Sequence, residues 1–268
     1  MNDEQNQAEL PAPANARIDV AVAGLGAKRA LIVFLAFFGT QIVVGIVIGI
    51  VGVTWLVLAR GTGSPATMAE AQRLLVMPAA IAGALVSGWV ALVLTRRSLP
   101  GPVGRGALRS IGWAAASSRS MLVSAFAGVS IAAFYLLGLS AHLPPPPGHR
   151  FGPVVSTLML GGWPRHAWAV FAVVVAPPIE EFMFRGVVLA GLSRSWTTAS
   201  AGVVATALFV LCHLSEVRGY GPAVIGVSML GAAALIARVN TRSLAPAIVL
   251  HASYNLVLVI SMYAGAGP

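Results

Sequence analysis

Of 268 residues only 9% are charged while 57% are hydrophobic, and the net charge of +9 comes from arginines scattered between long apolar runs. Soluble globular chains carry about 25% charged residues, so a water-soluble enzyme is excluded, and no basic cluster interleaved with aromatics points to nucleic acid. The single cysteine, Cys212, excludes an intramolecular disulfide and a multi-cysteine metal centre.

Only helix bundles and closed barrels cross lipid, and unbroken apolar runs of this length are helical rather than alternating strands. The fold class is therefore all-α: a polytopic transmembrane helix bundle of seven or eight spans, with a broken helix at the functional site. Residues 1–29, polar and with Pro11 and Pro13, read as a disordered cytoplasmic tail. Span one runs from Ala30 to Ala59, where Gly45 and Gly49 match the small-residue packing spacing. Span two runs from Leu74 to Thr95, with Pro78 in its first turn. The connection Arg96 to Arg119 is the most basic in the chain and is cytoplasmic by the positive-inside rule. Span three covers Met121 to Ser140, and the polyproline turn after it carries His142 and His149 as solvated loop residues. Residues 152–163 are short and Gly-rich, the place where an eighth span would fall. Span four is His166 to Leu192, span five Ala199 to Leu214, span six Pro222 to Ala237 and span seven Leu244 to Tyr263.

Span four contains Pro177-Pro178-Ile179-Glu180-Glu181-Phe182-Met183-Phe184-Arg185, two carboxylates and an arginine within apolar sequence. A charged side chain at the centre of a membrane helix costs about 2.5–3.5 kcal/mol even on lenient scales, so such groups persist where they pair or carry function. Glu181 and Arg185, four apart, share a helical face and suit an ion pair. Glu180 points about 100° away and is the acid left free. Proline is tolerated best in a first turn, so a helix restarting at Pro177 or Pro178 sets Glu180 near its positive end.

Two further spans carry polar groups. Span five has Phe209-Val-Leu-Cys-His213, and span seven has His251-Ala-Ser-Tyr-Asn255, whose His251 and Asn255 share one face. Spans four and five are joined by a short hairpin, and Glu180 and His213 lie equally far from its centre, about 21–25 Å along each helix. The two are level. His251, counted from Arg242, is only about 13 Å deep; tilt, overhang or a re-entrant segment must supply the difference.

The ordered set Glu-Glu-x-x-x-Arg, Phe-x-x-x-His and His-x-x-x-Asn resembles the CPBP family of intramembrane proteases, which includes the CAAX prenyl endopeptidases of the Ras-converting type and proteins linked to bacteriocin self-immunity. The likeness covers residues 166–263, leaving residues 30–165 as N-terminal transmembrane helices. It implies an endopeptidase in which Glu180 corresponds to the general base, His213 and His251 to the site histidines and Asn255 to their polar partner. Glu181, Arg185 and Phe209 correspond to supporting positions. A carboxylate, two imidazoles and an amide supply what peptide hydrolysis needs: a base for water and donors for an oxyanion.

Glu180, His213 and His251 would equally serve as three ligands of a catalytic zinc. No cofactor is favoured, because Asn255 suits an oxyanion better than a metal and no separate base remains obvious once Glu180 is a ligand, although Glu181 could take that part. The expected partners are the lipid bilayer and a membrane-associated peptide or protein substrate. Abundant Ala, Gly and Arg beside one Lys suit a prokaryotic inner membrane, with the N-terminus cytoplasmic. The rival readings are a proton-coupled transporter, since intramembrane acids and broken helices also mark ion paths, and a non-catalytic immunity or scaffold protein.

Overall fold

The computed structural model describes residues 25–61, 63–99, 105–152, 155–156 and 162–265. Regular structure among them is entirely helical: α1 (Ala27–Arg60), α2 (Pro65–Ser98), the short α3 (Arg105–Ser110), α4 (Ser118–Ser140), α5 (Trp163–Leu192), α6 (Thr198–Val217), α7 (Gly221–Thr241) and α8 (Ala245–Tyr263). All but α3 are long and apolar enough to cross a bilayer, which makes seven spans among the described residues of an integral membrane protein. Residues 1–24, most of the expected tail, lie outside the described residues, and Ala27 to Arg29 are already helical. The place where an eighth span was considered falls largely on residues 153–154 and 157–161, which also lie outside them.

Helices α1 and α2 form an antiparallel hairpin. Gly61 ends α1 in the left-handed region at φ 69°, Ser64 accepts the Thr67 N–H at 3.3 Å, and Pro65 fills the first turn of α2. This cap starts α2 well before Leu74, so Pro78 sits inside the helix and not in its first turn as expected. The outer face of α1 presents Leu31, Leu35, Ile42, Ile46 and Ile50, a surface that only lipid tails solvate at no cost. A Cβ added at Gly45 or Gly49 would meet no described residue within 4 Å; the spacing that suggested a packing motif is not used as one among the described residues.

Helix α5 is the axis of the bundle, buried at every position from Glu181 to Gly191. Its N-terminal neighbour in the core is α1, which runs antiparallel: Gly191 abuts Ala30, and Phe34 meets Phe184 edge-on at 6.1 Å. The break expected at Pro177-Pro178 takes the form of a change of pitch. Residues Ala176–Glu181 are α-helical with prolines in the first turn, flanked by wider π-helical turns over Phe171–Val175 and Phe182–Val188. Prolines donate no N–H and push against the preceding turn, and π turns of this kind gather at functional sites.

On the far side α4 lies along α8. Gly128 is the close point, where an added Cβ would run into the Leu250 carbonyl, so only a hydrogen fits. The α7–α8 turn is roofed by the segment after α3: Leu244 N–H donates to the Gly112 carbonyl at 2.7 Å, Ser243 Oγ–H donates to the Ala114 carbonyl at 2.5 Å, and Ser243 and Leu244 are buried. Gly112 holds φ 92°, and a Cβ there would lie 2.6 Å from the guanidinium of the buried Arg238. In the α4–α5 connection His142 is exposed as expected, but His149 is half-buried, edge-on to Phe151 at 4.8 Å. The reason is Tyr220 at the start of α7, which packs on both rings and donates to the Leu143 carbonyl at 2.6 Å.

The close α4–α8 approach gives a stability prediction. Gly128→Val forces a side chain against backbone and costs about 1–3 kcal/mol, seen as a lowered thermal midpoint in detergent micelles, whereas Gly45→Ala leaves the midpoint unchanged or slightly raised.

Candidate active site

The α-helical turn Ala176–Glu181 delivers two acids about 100° apart. Glu181 turns inward, where the Arg185 Nη1–H donates to its Oε1 at 3.2 Å and both side chains are fully buried. The ion pair expected from the i, i+4 spacing is therefore present. Arg185 is held on two other sides: Nη2–H donates to the Gly231 carbonyl of α7 at 2.8 Å, and the guanidinium lies 4.4 Å from the centre of the Phe209 ring of α6. One cation thus ties α5, α6 and α7 together.

Glu180 turns to another side, into a cavity of about 390 Å³ whose lining includes His213, His251 and Asn255. Its side chain is 26% exposed, but Oε2 is enclosed and unpaired among the described residues. This oxygen lies 3.6 Å from His213 Nε2 and 3.9 Å from His251 Nε2. Both gaps exceed a direct hydrogen bond. The level placement of Glu180 and His213 across the α5–α6 hairpin is realised; the Thr197 cap, accepting the Ser200 N–H at 3.1 Å, fixes where α6 starts.

Each imidazole has its other nitrogen secured. His213 Nδ1 lies 2.7 Å from the Phe209 carbonyl, which can only accept, so Nδ1 carries a proton and Nε2 is the nitrogen that faces Glu180. His251 Nδ1 lies 2.9 Å from Glu181 Oε1, so the buried carboxylate orients the second ring in the same sense. Phe209 supports both, its ring 4.4 Å from that of His213 and perpendicular to that of His251 at 5.7 Å. Asn255 Nδ2–H donates to the Ala172 carbonyl at 2.7 Å, within the first π turn of α5, leaving its second amide N–H at the cavity.

His251 is as deep as its partners despite its short count from Arg242. Arg242 itself is exposed, but Ser243 and Leu244 just after it are buried under Gly112 to Ala114, so α8 starts inside the protein and needs only two turns to reach Glu181. Sequence reasoning missed this roof, and it missed the Gly231 carbonyl and the Glu181–His251 bond. Only the last had a signal, since Glu181 sits beside Glu180 on a turn that His251 must face.

Among the described residues no group of three or more His, Cys, Asp or Glu is arranged to hold a metal ion. The two imidazole Nε2 atoms converge on one oxygen of a single carboxylate at distances wider than the roughly 3.3 Å between tetrahedral ligands at 2.0–2.1 Å.

Breaking the buried pair has a predictable cost. Arg185→Met leaves Glu181 as an uncompensated charge and lowers stability by about 3–5 kcal/mol, read as a fall in thermal midpoint in detergent, and the double variant Glu181→Gln, Arg185→Met recovers part of the loss.

Residues 162–257 match the family model described as type II CAAX prenyl endopeptidase Rce1-like. The match takes in α5 to α7 and α8 as far as Val257, and with them Glu180, Glu181, Arg185, Phe209, His213, His251 and Asn255. Over this segment the likeness to CAAX-type endopeptidases carried by the three motifs is supported independently; α1 to α4 lie outside it. No curated protein and no solved structure matched the chain.

Proposed function

We propose that this chain, whose residues 162–257 carry a CAAX-type endopeptidase segment, is an intramembrane endopeptidase that hydrolyses a peptide bond of a membrane-associated substrate with Glu180 as general base. The observation that carries the reading is the unpaired Glu180 Oε2, facing Nε2 of two histidines whose opposite nitrogens are both secured.

Glu180 removes a proton from water as the water oxygen attacks the scissile carbonyl carbon. The His213 lone pair at Nε2 accepts the second O–H and holds the nucleophile. His251, its Nδ1–H anchored on Glu181, accepts at Nε2 the proton that Glu180 has just taken from water, donates it to the developing oxyanion as a hydrogen bond beside the amide N–H of Asn255, and returns it to Glu180 as the intermediate collapses. As the C–N bond breaks, Glu180 passes its proton to the departing amine. Arg185 and Phe209 touch none of the reacting atoms; they hold Glu181 and the two rings in place. The apolar walls around these few polar groups exclude bulk water, which strengthens each interaction. We further propose the metal-free form of this site, in a prokaryotic cell membrane with the N-terminus cytoplasmic.

The test uses protein reconstituted in liposomes and two quenched fluorescent peptides, one ending in a farnesylated cysteine followed by three residues and one a hydrophobic single-span segment. Wild type cleaves at least one. Glu180→Gln lowers kcat by about 10²–10⁴-fold while the thermal midpoint is unchanged; a fully active Glu180→Gln protein refutes the assignment. In the same assay, activity survives treatment with a zinc chelator. Loss on chelation that zinc alone restores would make Glu180, His213 and His251 metal ligands instead.

A further inference from the structure

The α1–α2 hairpin lies outside the family match, yet it forms one wall of the Glu180 cavity. Phe37 and Phe38 of α1 and Ala80 and Ala84 of α2 make that wall apolar, and a single amide, Gln41, interrupts it. Gln41 lies mid-helix in the most hydropathic span of the chain. Polar groups at membrane depth are rare and are retained for pairing or function.

Register places this amide level with the base. Ala30 of α1 abuts Gly191 of α5, and the two helices are antiparallel. Eleven residues forward from Ala30 is Gln41; eleven back from Gly191 is Glu180. The π turns over Phe182–Val188 and the Phe34–Phe184 contact shift this register by about three residues, which still leaves the two side chains within about one turn of each other in height. The amide is also oriented: its Nε2–H donates to Ser87 Oγ of α2 at 3.3 Å, and Ser87 Oγ–H donates to the Ala84 carbonyl at 3.1 Å. No donor among the described residues pairs with Gln41 Oε1.

We infer that Gln41 is a substrate-binding residue of the proposed peptidase, its Oε1 accepting a backbone N–H of an extended peptide segment beside the scissile bond. An extended peptide entering an apolar cavity loses water from its backbone donors, and each donor left unpaired weakens binding. The phenylalanines and alanines of this wall offer no side-chain acceptor, so its one amide, at the height of Glu180, meets that need. The inference rests on the endopeptidase reading and adds to it that the N-terminal hairpin contributes to the site.

Two measurements separate this role from a simple tie between α1 and α2. Gln41→Met keeps the length of the side chain and removes the amide, whereas Ser87→Ala removes only the interhelical bond. In liposomes with the quenched farnesylated peptide, Gln41→Met raises KM about three- to tenfold, as expected for one lost hydrogen bond, with kcat within about twofold, and Ser87→Ala has a smaller effect. An unchanged KM for Gln41→Met, or an equal effect from Ser87→Ala, overturns the inference. The second measurement needs no turnover and so reads binding even where hydrolysis fails. In a Glu180→Gln background, benzoylphenylalanine placed at position 41 crosslinks the farnesylated peptide on illumination, competed by excess unlabelled peptide, whereas the same probe at the outward-facing Ile46 does not. No labelling at 41, or equal labelling at 46, overturns it.

Discussion

The arrangement depends on one buried cation. Arg185 sits at the centre of the core with no exposure, and its three partners come from different directions: the Glu181 carboxylate from its own helix, the Gly231 carbonyl from α7 and the face of Phe209 from α6. A guanidinium in this setting is stable only if its partners stay where they are. The positions of α6 and α7 around α5 are thereby set by the same group that neutralises Glu181. The same oxygen of Glu181, Oε1, also pairs with His251 Nδ1. The chain of contacts runs from a charge balance in the core to the orientation of a ring at the cavity.

The pitch of α5 serves the same end. In an unbroken α-helix, residues 180 and 181 would present a fixed angle to all neighbours. Widened turns before and after the Ala176–Glu181 segment rotate it relative to the rest of the helix, and they free backbone carbonyls. Two are claimed by side chains from other helices: Ala172 by Asn255, and Arg185 by the Nε–H of the buried Arg238 at 3.3 Å. The irregular part of the helix is therefore pinned at both ends, as backbone at membrane depth must be.

What could be read in the sequence was local or hairpin-bounded. The Glu181–Arg185 pair follows from a four-residue spacing, and the level heights of Glu180 and His213 from a turn of a few residues between α5 and α6. The seven long apolar helices follow from hydropathy alone. What could not be read involves partners distant along the chain. His251 looked too shallow because the turn before α8 is covered by Gly112 to Ala114, over 120 residues earlier, and nothing in either segment announces the other. Pro78 was misplaced because the Ser64 cap begins α2 in sequence that reads as loop. Gln41 carried no motif, and its significance appears only when α1 is set beside α5.

The roof over the α7–α8 turn also bears on how this protein can be divided. Residues 162–257 are the part of the chain that the family model matches, but the surfaces they pack against lie partly outside that segment. Without Gly112 and Ala114 the turn before α8 would present a bare backbone N–H and the Ser243 hydroxyl. Without Gly128 the Leu250 carbonyl face of α8 would lose its neighbour, and without Ala30 the small face at Gly191 would open. A fragment cut at the edges of the matched segment would keep Glu180, His213, His251 and Asn255 and lose the surfaces against which their helices pack.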